Sequence, residues 1–412
     1  MEMLLKGDCQ SHVRWSTTQE PNQAVIVSAA RTPIGKFGGA FRETSAVELG
    51  IAAVRAAIER AGISPSDVQE TIIGNVLSAG LGQSPARQCA IGAGIPYASG
   101  AFSVNKVCGS GLKAVMLAAN SVRLGEHDVV VAGGIENMSM APYLSIKTRW
   151  GNKYGDVPLV DSMIHDGLWD SYNKMHMIIT GEIVAERFGI TREEADRFAY
   201  RSHKKASDAT SEGLFSDEIV PVDAGGGREK VAVSRDEGPR PDTTLAKLAR
   251  LESRFKQGGI CTAGNSSQLS DGASALVVMS LSRAEKLGIK PMARIVDYNT
   301  GGTRPEWVME APIETTRELL RRNSLDMGEI DLVEHNEAYA TASSAVMREL
   351  GVAEDRFNVN GGAVALGHPL GASGARILTT LLYAMKKRGK KRGVSTLCLG
   401  GGNAVSMLVE MY

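Results

Sequence analysis

Two cysteines, a histidine and an asparagine stand where apolar runs end. Cys108 lies in Val107-Cys108-Gly109-Ser110-Gly111 and Asn336 in His335-Asn336-Glu337. His368 lies in Gly367-His368-Pro369-Leu370-Gly371-Ala372-Ser373-Gly374, and Cys398 opens Cys398-Leu399-Gly400-Gly401-Gly402. A cysteine nucleophile needs a base, and histidine is the usual one. A second thiol at another loop tip could carry a proton. Backbone N–H groups beside the glycines could hold an oxyanion. Each residue taken alone has a plainer reading: a core thiol, a turn histidine, a helix cap. Their joint arrival at matching loops of a repeated pattern favours nucleophilic catalysis.

The elements around them read as strands and helices in alternation. An apolar approach, Ala101 to Val107, meets the thiol. A helical stripe follows, Leu112, Val115, Met116, Ala119 and Val122, and stops at Gly125. That geometry predicts a thiol at a helix N-terminus, where the dipole favours thiolate. Before it come a strand at Ala24–Ala29, a loop at Arg31–Gly39, a helix from Ser45 to about Gly62 and a strand at Thr71–Val76. After it a strand at Asp128–Ala132 closes on Gly133-Gly134.

Residues 291–412 repeat the order, with strands at Ala293–Val296, Ile330–Glu334 and Val394–Cys398 and helices at Pro312–Arg322 and Ala375–Lys387. Cys108-Gly109-Ser110-Gly111 falls over Gly371-Ala372-Ser373-Gly374, and Ala132-Gly133-Gly134 over Leu399-Gly400-Gly401. The pattern predicts an α/β fold with an internal duplication of a βα half. Equivalent loops would then face one cleft beyond the strand C-termini. The expected organisation is a polar arm (1–23), a first core half (24–138, completed by 270–290), an inserted lid (139–269) and a second core half (291–412). The insert is richer in charge, with amphipathic helices at Ile178–Phe188 and Thr191–Thr210 and loops at Gly225–Gly227 and Pro239–Pro241.

Composition narrows the classes. The chain has 412 residues, with 46 basic and 46 acidic side chains. A net charge of zero gives no argument for nucleic-acid binding. Five cysteines (Cys9, Cys89, Cys108, Cys261, Cys398) lie far apart without metal-type spacing, so reduced thiols and no metal site are expected. No apolar run reaches the length of a membrane span. Residues 1–22 lack the apolar core of a secretory signal, and Val409-Glu410-Met411-Tyr412 is no targeting address. The cytoplasm is the expected compartment. Cys9 is a bystander in the arm, Cys89 and Cys261 are expected to be buried, and the basic run at Lys386–Arg392 reads as charge at a helix end.

These segments carry a resemblance. Val104–Val115, His335–Ala340, Asn358–Gly374 and Cys398–Gly402 resemble thiolases, specifically those that act as acetyl-CoA C-acetyltransferases. Thr262–Ser267 and Asn173–Thr180 also match. The resemblance runs from about residue 24 to the end, and implies a five-layer αβαβα fold. It implies that Cys108 is acylated by the thioester, that His368 is its base, and that Cys398 moves the α-proton of the second acetyl-CoA. Asn336 would hold a water that forms one oxyanion site with His368, and the N–H groups of Cys108 and Gly400 would form another. Leu168, His176, Met177, Phe255, Ala263, Ser267, Ala338 and Tyr339 would line the coenzyme A channel. Acetyl-CoA, acetoacetyl-CoA and coenzyme A are then substrates and products of a ping-pong Claisen condensation, no cofactor is needed, and the chain is expected to form a homodimer or homotetramer. Arg149 and Lys153 could attract the coenzyme's phosphates or sit in a solvated loop.

There are departures and alternatives. Tyr339 stands where the family usually has phenylalanine, and His335 where an apolar residue is common. A longer-chain 3-ketoacyl-CoA thiolase would share every catalytic residue; the His176-Met177 segment resembles short-chain enzymes. Decarboxylating ketosynthases use a histidine or asparagine where Cys398 stands. A silent acyl-CoA or lipid-binding protein would not need all four catalytic positions.

Overall fold

The structure, a computed structural model, describes residues 22–225 and 230–412. Most of the N-terminal arm, with Cys9, and two of the glycines in the 225–227 loop lie outside the described residues. In chain order the elements that matter are strand β1 (Ala24–Arg31), helix α1 (Ala46–Ala61), β2 (Glu70–Gly74), β3 (Gly100–Val104), helix α2 (Ser110–Leu124) and β4 (Val129–Asn137). The insertion carries α3 (Ile178–Phe188) and α4 (Arg192–Ser211). Then come β5 (Ser270–Ser280), β6 (Ala293–Gly302), α5 (Ala311–Arg322), β7 (Leu332–His335), α6 (Ala340–Glu349), α7 (Leu370–Arg388), β8 (Arg392–Leu399) and β9 (Asn403–Met411).

Local chemistry sets the boundaries. Ser45 makes a capping box with Glu48 and starts α1, and Gly62, with φ of 67°, ends it. Gly125 ends α2 in the same left-handed conformation.

The strands hydrogen-bond in the order β7-β8-β9-β6-β1-β5-β4-β2-β3. In the first half β3, β2 and β4 are parallel, and β5 and β1 add antiparallel. The second half repeats this with β7 and β8 parallel and β9 and β6 antiparallel. Phe357 bridges beside Val333 of β7, the place β3 takes beside β2. Gln69 N–H donates to the Val129 carbonyl (3.0 Å), and Asp331 N–H to that of Arg392 (2.9 Å), at matching points of the two halves. Among the described residues the two half-sheets are joined by two paired positions, Val25–Arg294 and Ile26–Ala293.

Helices α2 and α7 lie between the half-sheets. Leu112, Val115 and Met116 share one core with Ile377, Leu378 and Leu381, and with Val130 and Leu397 from both sheets. Helix α1 covers the outer face of the first sheet and α5 that of the second. The result is five layers, αβαβα.

The structure corrects three expectations. Gly133-Gly134 does not close a strand; β4 runs through it to Asn137, and the pair faces Ile73 and Gly74 in register. A Cβ at Gly133 would collide with the Ser274 carbonyl oxygen, and one at Gly134 with that of Gly371. These glycines serve close approach, not a turn, so they are not the counterpart of Gly400-Gly401, which lie in the β8–β9 turn. The glycine-rich stretch after His368 is likewise no loop, because α7 begins at Leu370. The approach to Cys108 is a strand only to Val104, and β3 is a largely exposed edge.

Candidate active site

The Cys108 turn is tied by its own side chains. Val107 has φ of 47°, a strained conformation for a β-branched residue. The Ser110 hydroxyl accepts from Lys106 N–H (2.8 Å) and donates to the Val107 carbonyl (2.6 Å). Asn105 Oδ1 accepts from Val107 N–H (2.9 Å). Cys108 therefore leaves the turn just before α2, part-buried against the pocket. The N–H groups of Gly400 and of Cys108 itself are directed at its sulfur.

The helix-start position does not win the electrostatics. Enclosure by apolar walls, helped by Cys398, pushes the Cys108 thiol well above the usual thiol range, and the two N–H groups only partly offset this. The resting group is a thiol, not the thiolate that the dipole alone predicts. Desolvation by the apolar pocket walls exceeds a half-charge dipole here.

His368 is neutral for the same reason: burial, with Arg376 adding, lowers it to about 3. Its tautomer follows from its neighbours. Ser373 donates its hydroxyl to the Pro369 carbonyl (2.8 Å), so it must accept from His368 Nδ1–H (2.5 Å). Nε2 is left with a lone pair, 3.3 Å from Asn336 Nδ2. Ser373 thus does for the second half what Ser110 does for the first.

Asn336 follows β7, fixed by its N–H to the Thr396 carbonyl (3.1 Å). It is fully buried, and its Oδ1 has no hydrogen-bond partner among the described residues. Glu337 beside it accepts from Ser202 Oγ (2.6 Å), Asn358 Nδ2 (2.8 Å) and Val364 N–H (3.1 Å), which ties the insertion to the loop leading to His368. Cys398, near the end of β8, is buried; burial pushes its thiol up to about 12. Its S–H donates to Met309 Sδ at 3.6 Å.

Cys108, His368, Cys398 and Gly400 line one pocket, together with Leu168, Met177, Ser267, Ala338 and Tyr339. Asn336 reaches it through His368. His176 and Phe255 stack at 4.6 Å between ring centroids, next to Met177 but off the pocket wall, and Ala263 is exposed beyond it. Met309, Val308 and Leu370 also line the pocket and were not singled out from the sequence. The one signal for Met309 was an apolar pair just before Pro312.

The departures sort differently. Tyr339 is pocket wall, packed on Gly181. His335 is turned into the core, its Nδ1 3.1 Å from Ser343 Oγ and its ring against Phe357. Cys89 is buried in the first core, and Cys261 sits in the same apolar cluster as Cys398 and Tyr339. Among the described residues no cluster of three His, Cys, Asp or Glu could hold a metal, and no helix is long and apolar enough to cross a membrane.

Two neutral thiols, a neutral imidazole with its lone pair on Nε2 and converging N–H donors can perform acyl transfer through a thioester. Comparison with known proteins agrees in kind. Residues 24–282 match the model for "Thiolase, N-terminal domain" and residues 289–411 that for "Thiolase, C-terminal domain". An acetyl-CoA acetyltransferase of Cupriavidus necator is 50% identical over 387 residues, covering 94% of this chain and 98% of the relative. One from Syntrophomonas wolfei is 48% identical over 394 residues, covering 94% and 99%. The crystal structure of the Bacillus anthracis acetyl-CoA acetyltransferase superposes with a TM-score of 0.94 at 39% identity, covering 95% of this chain and all of that one. By both of its halves and by nearly its whole length, the chain belongs to the thiolase family.

Proposed function

We propose that the protein is an acetyl-CoA C-acetyltransferase, joining two acetyl-CoA to acetoacetyl-CoA plus coenzyme A and running the reverse thiolysis. The observation that carries this reading is the pocket in which Cys108, His368 and Cys398 meet. Its relatives bear that activity in their names. In the first half-reaction Cys108 gives its proton to His368 Nε2 and its sulfur attacks the acetyl thioester. The coenzyme sulfur leaves with the proton of Cys398. Cys398, now a thiolate, takes the α-proton of the second acetyl-CoA. The enolate carbon bonds to the acetyl carbon, the bond to Cys108 sulfur breaks, and that sulfur recovers its proton from His368.

Both thiols and the imidazole are neutral at rest, so charge appears only as the thioester reacts. The N–H groups of Cys108 and Gly400 receive the developing oxyanion on the acetyl group. Asn336, through a water, and His368 receive that of the other thioester. No cofactor enters this scheme; coenzyme A thioesters are the substrates. Leu168, Met177, Ser267, Ala338 and Tyr339 would take the acyl and pantetheine end, with His176, Phe255 and Ala263 further out. We read the compartment as cytoplasmic and the assembly as a homodimer or homotetramer. The exposed edge strand β3, with Phe102 exposed, and the segment between the paired strands Tyr143–Leu144 and Val160–Asp161, with exposed Trp150 and Tyr154, suit contacts with further copies.

The test is acetylation followed by mass spectrometry. The enzyme incubated with acetyl-CoA should carry one acetyl group on the Cys108 peptide and should cleave acetoacetyl-CoA only with coenzyme A present. Cys108→Ala should do neither. Acetyl found on another cysteine, or retained by the variant, would contradict the assignment. A longer-chain thiolase would keep its rate as the acyl chain lengthens; this protein is expected to lose it.

A further inference from the structure

Glu136 is a fully buried carboxylate that the scheme above does not use. It sits near the end of β4. Its Oε1 accepts from Asn75 Nδ2 (2.9 Å) and Leu77 N–H (3.1 Å). Its Oε2 accepts from Gly371 N–H (2.8 Å) and Val76 N–H (3.2 Å). Four neutral donors fill the carboxylate, and no cation is among the groups that set its acidity. Burying an unpaired acid is costly. A glutamine would be cheaper to bury, so the charge and its fourfold acceptance call for a reason.

The donors name it. Gly371 lies in the first turn of α7, three residues after His368. Asn75 N–H donates to the carbonyl of Val104 (3.1 Å), where the chain enters the Cys108 turn. Leu77 and Leu370, each next to one of these donors or one itself, belong to the apolar cluster packed on Cys108. One carboxylate thus joins the exit of β2 in the first half to the start of the catalytic helix in the second. We propose that Glu136 is a positioning residue of the acylation step, fixing the Cys108 turn and the His368 helix start in relation to each other. The inference rests on the reading of Cys108 as nucleophile.

The charge is felt at the sulfur as well. Glu136 contributes to holding the Cys108 thiol protonated, together with Cys398, and His368 and Tyr339 also face that thiol. Burial, with Asp271 adding, raises Glu136 itself to about 7.

The experiment uses two variants of the full chain. In Glu136→Gln, whichever way the amide turns, two N–H donors meet an NH2 group. Acetylation of the enzyme by acetyl-CoA should slow by about 10- to 100-fold, the cost of a small misplacement. The pH inflection for alkylation of Cys108 by iodoacetamide should move down, because a negative neighbour has gone. In Glu136→Asp the charge stays and the reach is lost, so acetylation should slow while the inflection stays put. Wild-type acetylation in the glutamine variant overturns the proposal. So does slowed acetylation with an unmoved inflection, or failure of both variants to fold, since either makes the acid a structural brace only. Alkylation needs no acetyl-CoA. A wild-type enzyme that alkylates at Cys108 but never acetylates there would sink the functional reading instead.

Discussion

Asn336 carries no charge and attacks nothing, yet its amide lies 3.3 Å from His368 Nε2, with Oδ1 unpartnered among the described residues. On the proposed scheme, replacing it with alanine removes one polar group from an oxyanion site. Turnover of Asn336→Ala should fall by about 10- to 1,000-fold, the scale of a single oxyanion donor or less, with the melting curve nearly unchanged. Wild-type turnover would make it only a strand-end cap. Its place in the site, like those of Cys108, His368 and Cys398, was legible in the sequence because each stands in a short motif that carries the family resemblance. Glu136 and Met309 were not legible, because what they touch is far away in the chain. Glu136 meets Gly371 across 235 positions, and Met309 meets Cys398 across 89. The protonation of Cys108 was misjudged for a related reason: a helix start is visible in sequence, and an apolar enclosure is not.

Elements were legible where the period was clean and the caps were local. Helix α3 falls on Ile178–Phe188 as its stripe predicts, and α1 between Ser45 and Gly62. Glycine pairs were misread because a turn and a close approach have the same local signature. The crossing of α2 and α7 shows the second use. A Cβ on Gly111 would lie 2.7 Å from the Ala375 nitrogen, and one on Gly374 would collide with the backbone nitrogen of Leu112. Gly374→Ala gains up to about 1 kcal/mol of helix propensity. It must also push two backbones apart, and overpacking typically costs about 1–3 kcal/mol. The variant should therefore unfold at lower denaturant and acetylate more slowly, because the start of α2 carries Cys108. A denaturation midpoint at or above that of the wild type would show that the crossing is loose.

Across the whole molecule, two similar halves bury a set of ionisable groups between and beside them. Burial raises Glu136 to about 7 and Glu334, despite Arg376, to about 8. In the unfolded chain both would titrate near 4.3. The native state therefore holds more protons between these values, and stability falls as pH rises through the window. His335 and His368, lowered to about 3, and His203, to about 4, act oppositely; stability rises with pH until the unfolded histidines lose their protons near 6.5. The two trends together predict a melting temperature lower by a few degrees at pH 8.5 than at pH 6.5. An equal or higher value at pH 8.5 would mean that the acids are ionised in the native state at no cost. The duplication itself was legible from the order of strands and helices. The two-pair junction at β1 and β6 was not, since nothing local marks which strands become neighbours.

The duplication also divides the chemistry: the first half brings Cys108, and the second brings Asn336, His368 and Cys398. On the proposed scheme the two thiols have separate tasks. Cys398→Ser tests it, since a serine hydroxyl is far too weak an acid–base to replace a thiol at neutral pH. The variant, given acetyl-CoA in deuterated solvent, should form acetyl-Cys108 and exchange labelled coenzyme A, at a reduced rate, while the α-protons of acetyl-CoA stay unexchanged. If acetylation of Cys108 is blocked and α-proton exchange continues, the two roles are reversed.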